Sequence, residues 1–113
     1  MGAASVRRAG GMGQGGRRVV LLAYPGADLL DVAGPCAVFD AFEHAPGRSE
    51  EDTTPGYRIE VVSTGGGSRV ETSCRVALVA DRNYRSVRGE VDTLLVAGGA
   101  GAWRAAQDEQ LLL

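Results

Sequence analysis

The groups best placed to do chemistry are Asp28 and Asp31, the thiols of Cys36 and Cys74, the imidazole of His44, and the glycine cluster Gly98-Gly99-Ala100-Gly101. Asp28 opens an apolar periodic stretch, so its carboxylate reads as an N-cap accepting from unpaired helical amides. Asp31 lies three residues on, where a carboxylate also suits the positive end of the helix dipole. Spacing alone favours a first-turn capping role, although this position follows a strand and α/β ligand sites gather at the carboxyl edge of a sheet. Gly98 to Gly101 sit between an apolar run and a helix-forming segment. Their amides either face an anion as a pocket rim or simply make a tight turn.

The remaining candidates have plainer readings. Cys36 follows Pro35 on an apolar helical face and reads as a packed thiol. Cys74 sits between two short extended segments beside Arg75, whose guanidinium is the obvious agent to lower its pKa, but a turn cysteine is the simpler reading. His44 ends a helical stretch on its polar side, so no Cys-His or Ser-His-Asp machine is apparent. Gly11, Gly13 and Gly16 spell G-x-G-x-x-G but precede the first strand, the wrong place for a pyrophosphate. Gly65-Gly66-Gly67 leads to another extended segment and reads as a turn. Trp103 reads as a packing residue, and Arg82, Arg85 and Arg88 as a solvated face.

These residues need elements to hold them. Val19 to Tyr24 is a continuous apolar run ended by Pro25-Gly26, the pattern of a strand covered on both faces. From Asp28 to Ala45 the apolar spacing turns helical, with a kink expected at Gly34-Pro35 and a second helix starting near Pro35. Residues 46–56 are a polar loop. Tyr57 to Thr64 reads as a second strand, and Val70 to Thr72 with Val76 to Ala80 as a hairpin around Cys74. Asp92 to Ala97 is a third strand, and a helix runs from Trp103 to Leu113. Strand, helix, strand, hairpin, strand and helix is the opening half of an α/β domain.

Composition narrows the function classes. The chain has 113 residues, 44% of them hydrophobic and 23% charged, with a formal charge of −2. That suits one globular domain and excludes a generally basic nucleic-acid binder. The run Val19 to Tyr24 is far short of the ~18 apolar residues of a membrane span. Two cysteines cannot form a four-cysteine zinc site, and no cofactor motif is complete. Residues 1–17 hold six glycines and no acidic or aromatic side chain, so they read as a disordered leader with the domain starting at Arg18.

The run Tyr24-Pro25-Gly26-Ala27-Asp28-Leu29-Leu30-Asp31-Val32-Ala33-Gly34-Pro35, followed by Val38-Phe39, resembles the first strand–helix signature of the ThiJ/PfpI superfamily. Tyr57 to Gly65, Asp81 and the segment DTLLVAGGAGA extend the likeness over residues 18–113. The resemblance implies a flavodoxin-like, doubly wound parallel sheet, of which this chain is the N-terminal half. It is similar above all to the amidase-like N-terminal domain of AraC-type transcription regulators, and next to isonitrile-hydratase-like or amidase-like enzymes. Asp31 is thereby expected to be a pocket residue, with Gly98 and Gly99 lining the same ligand-binding crevice by their amides. The nucleophile-elbow cysteine is expected beyond residue 113, so neither Cys36 nor Cys74 inherits that role and this chain is expected to lack catalysis. The resemblance further implies a small-molecule ligand, no cofactor, no nucleic acid or membrane contact by this segment, a homodimeric parent and a cytoplasmic location.

Overall fold

A computed structural model describes residues 16–44, 47, 49, 51 and 56–112. The leader reading thus falls mostly outside the described residues, as does most of the loop at 46–56. Within the described residues Arg17 belongs to the first strand, paired with Tyr57.

Strand β1 (Arg17–Ala23) is buried along nearly its whole length, because it has neighbours on both edges and cover on both faces. It pairs in parallel with β2 (Tyr57–Ser63) on one side and with β6 (Thr93–Val96) on the other. A two-residue strand β5 (Arg82–Asn83) adds to the outer side of β2. The four-stranded sheet therefore has the order β5-β2-β1-β6, a parallel α/β arrangement as the sequence suggests. Strands β3 (Arg69–Glu71) and β4 (Ala77–Val79) form the expected antiparallel hairpin. The core gathers Leu21, Ala23, Tyr24, Ala27, Val32, Val70 and Ala97, so it joins β1, the first helix, the hairpin and the end of β6.

Helix α1 (Leu29–Asp40) corrects the sequence reading at Gly34-Pro35, for it runs through both residues and ends in a 3-10 turn, Ala41–His44. Pro35 removes a single intrahelical donor, and continuous packing on β2 outweighs that loss. The expected helix from Trp103 to Leu113 is likewise corrected. It divides into α2 (Ala102–Ala105) and α3 (Glu109–Leu112), because Asp108 Oδ1 accepts from the amides of Gln110 and Leu111 and starts a new helix there.

The arginines are not merely a solvated face. Arg18 is buried and donates from Nε (2.9 Å) and Nη2 to Glu60 Oε1, while Arg82 Nε lies 3.2 Å from Glu60 Oε2. Arg18 also donates to the carbonyls of Arg88 and Glu90, and its amide donates to Asp92. These bonds tie the segment before β6 to the inner strands. Arg85 donates to Gln110 at 2.6 Å, which anchors α3. Strand β6 is the outer strand of the sheet, with Leu94 and Val96 exposed.

Candidate functional site

The parallel pairing of β1 and β6 brings two turns together at the carboxyl edge of the sheet, Pro25–Asp28 after β1 and Gly98–Gly101 after β6. They touch backbone to backbone. The Asp28 amide donates to the Gly98 carbonyl (2.7 Å), and the Gly101 amide donates to the Gly26 carbonyl (3.2 Å). A Cβ on Gly101 would land on the Pro25 carbonyl oxygen, and one on Gly99 would lie 2.5 Å from the Asp28 nitrogen. Gly99 has φ +134° and Gly26 φ +86°, backbone angles that glycine alone adopts without strain. The glycines are there because the two turns would otherwise collide.

Asp28 is the N-cap, its Oδ1 accepting from the Leu30 amide at 2.9 Å. Asp31 is not a cap. Its Oδ2 reaches across to accept from the Gly98 amide at 2.8 Å, which leaves Oδ1 at the surface without a protein partner among the described residues. Asp31 and Gly98 are thus brought into direct contact, whereas Gly99 supplies the turn geometry beneath them. The amide of Gly98 already has an acceptor, so the rim it offers an anion is smaller than the glycine cluster suggests.

Tyr24 completes the arrangement. Its ring is buried, and its hydroxyl donates to the Ala97 carbonyl. Burial raises the phenol pKa above its ordinary value, and the nearby Asp31 charge raises it further. The sequence reading places Tyr24 at the end of a strand and at the head of the signature run, but gives it no role in the site. The signal that could have found it is an aromatic at the carboxyl terminus of a buried strand, directly before Pro-Gly.

The hairpin closes on the other side of the β1 turn. The Gly26 amide donates to the Glu71 carbonyl (2.8 Å), and the Ser73 amide to the Ala27 carbonyl (2.9 Å). Cys74 stands exposed at its tip, with Sγ 3.4 Å from the hydroxyl of buried Thr72. Its thiol pKa is lowered first by that hydroxyl and then by a backbone bond at Val76, while Asp28 works against the shift. The cause is therefore not the Arg75 guanidinium that sequence adjacency suggests. Arg75 matters to the backbone instead, taking φ +72° to turn the tip. Cys36 is half-buried on α1, and Trp103 is 83% exposed, against the expectation that it packs. The side chain of His44 lies outside the described part of the structure.

Beside the same β1 turn lies an open cleft of about 240 Å³ between Thr64 and Arg104. Gly101 belongs to its wall, and Asp31, Gly98 and Gly99 do not. Among the described residues no three His, Cys, Asp or Glu side chains gather as a metal site, and no helix is long and apolar enough to cross a membrane.

The fold matches solved structures. A ThiJ/PfpI family protein from Pseudomonas syringae superposes with a TM-score of 0.68 at 23% identity, covering 87% of this chain and 36% of that one. Drosophila melanogaster DJ-1beta gives a TM-score of 0.68 at 18% identity, covering 86% and 46%. The fold is that of the DJ-1/ThiJ/PfpI proteins. Schizosaccharomyces pombe DJ-1 is similar as well, with a TM-score of 0.63, 18% identity and coverage of 83% and 47%. In sequence, an uncharacterized protein from the cpoL 5′ region of Streptomyces lividans is 38% identical over 88 residues, 78% of this chain and 55% of that protein. No family model matches. The chain spans about half the length of the curated relative it matches, and less than half of each of these DJ-1/ThiJ/PfpI structures.

Proposed function

We propose that this chain is the N-terminal part of a ThiJ/PfpI-type domain that binds a small molecule, and that in its parent protein the domain serves an AraC-type transcription regulator. The observation that carries the binding reading is the Asp31–Gly98 bond, which fixes one carboxylate oxygen and turns the other outward at the edge where ligands of open α/β sheets bind. A ligand hydroxyl or amide would donate to Asp31 Oδ1, and the buried Tyr24 with the glycine turn would hold the carboxylate in place.

The same geometry supports binding over catalysis in this segment. Neither cysteine lies in the turns around Asp31 and Gly98: Cys36 is midway along α1, and Cys74 is at the hairpin tip. Acyl-transfer chemistry needs a nucleophile, a base and oxyanion donors around one reacting atom. On this reading Asp31 serves as a recognition group. Ligand binding would reach the regulator's DNA-binding part by favouring one conformation of the parent, in proportion to its differential affinity for the two states.

The test is to read the coding DNA beyond codon 113 and to titrate the parent protein with metabolites. Two helix-turn-helix patterns downstream, together with loss of ligand response in Asp31→Asn, support the regulator. A cysteine turn followed closely by a stop codon, with turnover of an isonitrile or amide, overturns it in favour of an enzyme.

A further inference from the structure

Beside the Asp31 crevice, the open cleft carries a separate charge pattern. Its floor and sides are mostly apolar, formed by the buried Tyr24, by Pro25 and by Leu111. Three residues with polar side chains belong to its lining: Thr64, Arg104 and Asp108. The two charges do not neutralise each other, since the Arg104 side chain has no hydrogen bond or ion pair among the described residues. Asp108 is already engaged, with Oδ1 accepting from the Gln110 and Leu111 amides at 3.1 and 3.2 Å. Asp108 keeps its negative charge, but of the two charged side chains only Arg104 has every hydrogen-bond donor uncommitted among the described residues.

We propose that this cleft binds a small monocarboxylate with a short apolar body. The carboxylate would pair with Arg104, whose planar fork matches two carboxylate oxygens, and the Thr64 hydroxyl would donate a further bond. The apolar part would cover Tyr24, Pro25 and Leu111. Asp108 sets the charge limit, because a second negative charge on the ligand would face its carboxylate. At about 240 Å³ the space is below that of drug-sized pockets and fits a metabolite of a few carbons. The proposal rests on the ligand-sensing reading for its biological use, but its chemistry depends only on the cleft.

Trp103, the single tryptophan, adjoins Arg104 in sequence and is 83% exposed, so its fluorescence serves as one readout. The probe is butyrate titrated into the 113-residue chain in the millimolar range, with butylamine, succinate and inorganic phosphate in parallel. Saturation-transfer NMR on the butyrate methyl protons gives a second readout. Butyrate should saturate, the other three should bind more weakly, and Arg104→Gln should weaken butyrate about tenfold while Arg88→Gln leaves it unchanged. Thr64→Val should weaken it less. Equal binding of phosphate or butylamine, no saturable butyrate signal, or an unaffected Arg104→Gln variant overturns the proposal. A parent gene without a DNA-binding domain would remove the regulator reading and leave butyrate binding standing, so the two can fail separately.

Discussion

Replacing Gly101 with alanine tests the contact on which the site is built. Gly101 has φ −83° and ψ 0°, in the bridge region, which residues with a Cβ also occupy, so the backbone angles do not demand glycine. On that ground alone Gly101→Ala should stabilise the protein by about 0.4–1 kcal/mol, through the smaller entropy of the unfolded chain. Gly66→Ala is the matched control, since a Cβ there meets nothing within 4 Å. At Gly101, however, the added carbon falls on the Pro25 carbonyl oxygen and lies 3.1 Å from the Gly26 Cα. Both obstacles are backbone and cannot rotate away. Overpacking of this kind costs roughly 1–3 kcal/mol, and the displaced turn also weakens the Gly101–Gly26 hydrogen bond, worth about 1 kcal/mol. The net loss is about 2 kcal/mol, which for a domain of this size lowers Tm by roughly 10 °C. Thermal and urea unfolding of the two variants read the sign directly. A Gly101→Ala protein as stable as Gly66→Ala would refute the close approach of the turns and, with it, the Asp31–Gly98 geometry.

Tyr24 gives a pH test: its folded pKa is raised above the ordinary 10.0, so the stability it contributes is whole below that value and lost as pH rises through the folded one. Tyr24→Phe should cost about 1 kcal/mol at neutral pH, the worth of one buried hydrogen bond, and flatten the decline in urea midpoints as pH rises above the ordinary phenol value. Cys74 should be alkylated by iodoacetamide at lower pH than an ordinary exposed thiol, and Thr72→Val should slow the reaction at neutral pH by removing the hydroxyl that favours the thiolate. Sedimentation should show concentration-dependent association through the β6 edge, reduced by Leu94→Lys with Val96→Lys, and an unchanged profile in the double variant would count against edge pairing.

What could be read in advance follows from range along the chain. The apolar runs at Val19 to Tyr24 and Asp92 to Ala97 give β1 and β6, because a continuous apolar run is a local mark in composition, although only β1 is buried and β6 stays largely exposed at the sheet edge. The hairpin at Val70 to Ala80 and the Asp28 cap are equally local. Errors fall where a distant partner overrules the local preference. Gly34-Pro35 predicts a break, but α1 lies on β2 and stays whole. The stretch from Trp103 to Leu113 predicts one helix, but Asp108 caps a second. Arg82 looks solvated until Glu60, on a strand 22 residues earlier in sequence, supplies its partner.

Asp31 shows the same limit at the site itself. Three residues after a cap, a carboxylate has a sufficient local explanation, and nothing nearby in sequence contradicts it. Its actual partner is an amide 67 residues away, reachable only because β1 and β6 are parallel neighbours whose turns meet at one edge. The contact in turn depends on glycines whose letters cannot say which close approach they serve: Gly101 meets Pro25, Gly99 meets Asp28, and Gly65 to Gly67 meet nothing. A glycine cluster is thus ambiguous by itself, and the carboxylate is ambiguous by itself. Only the sheet order makes one explain the other, because it sets the Asp31 carboxylate against the Gly98 amide.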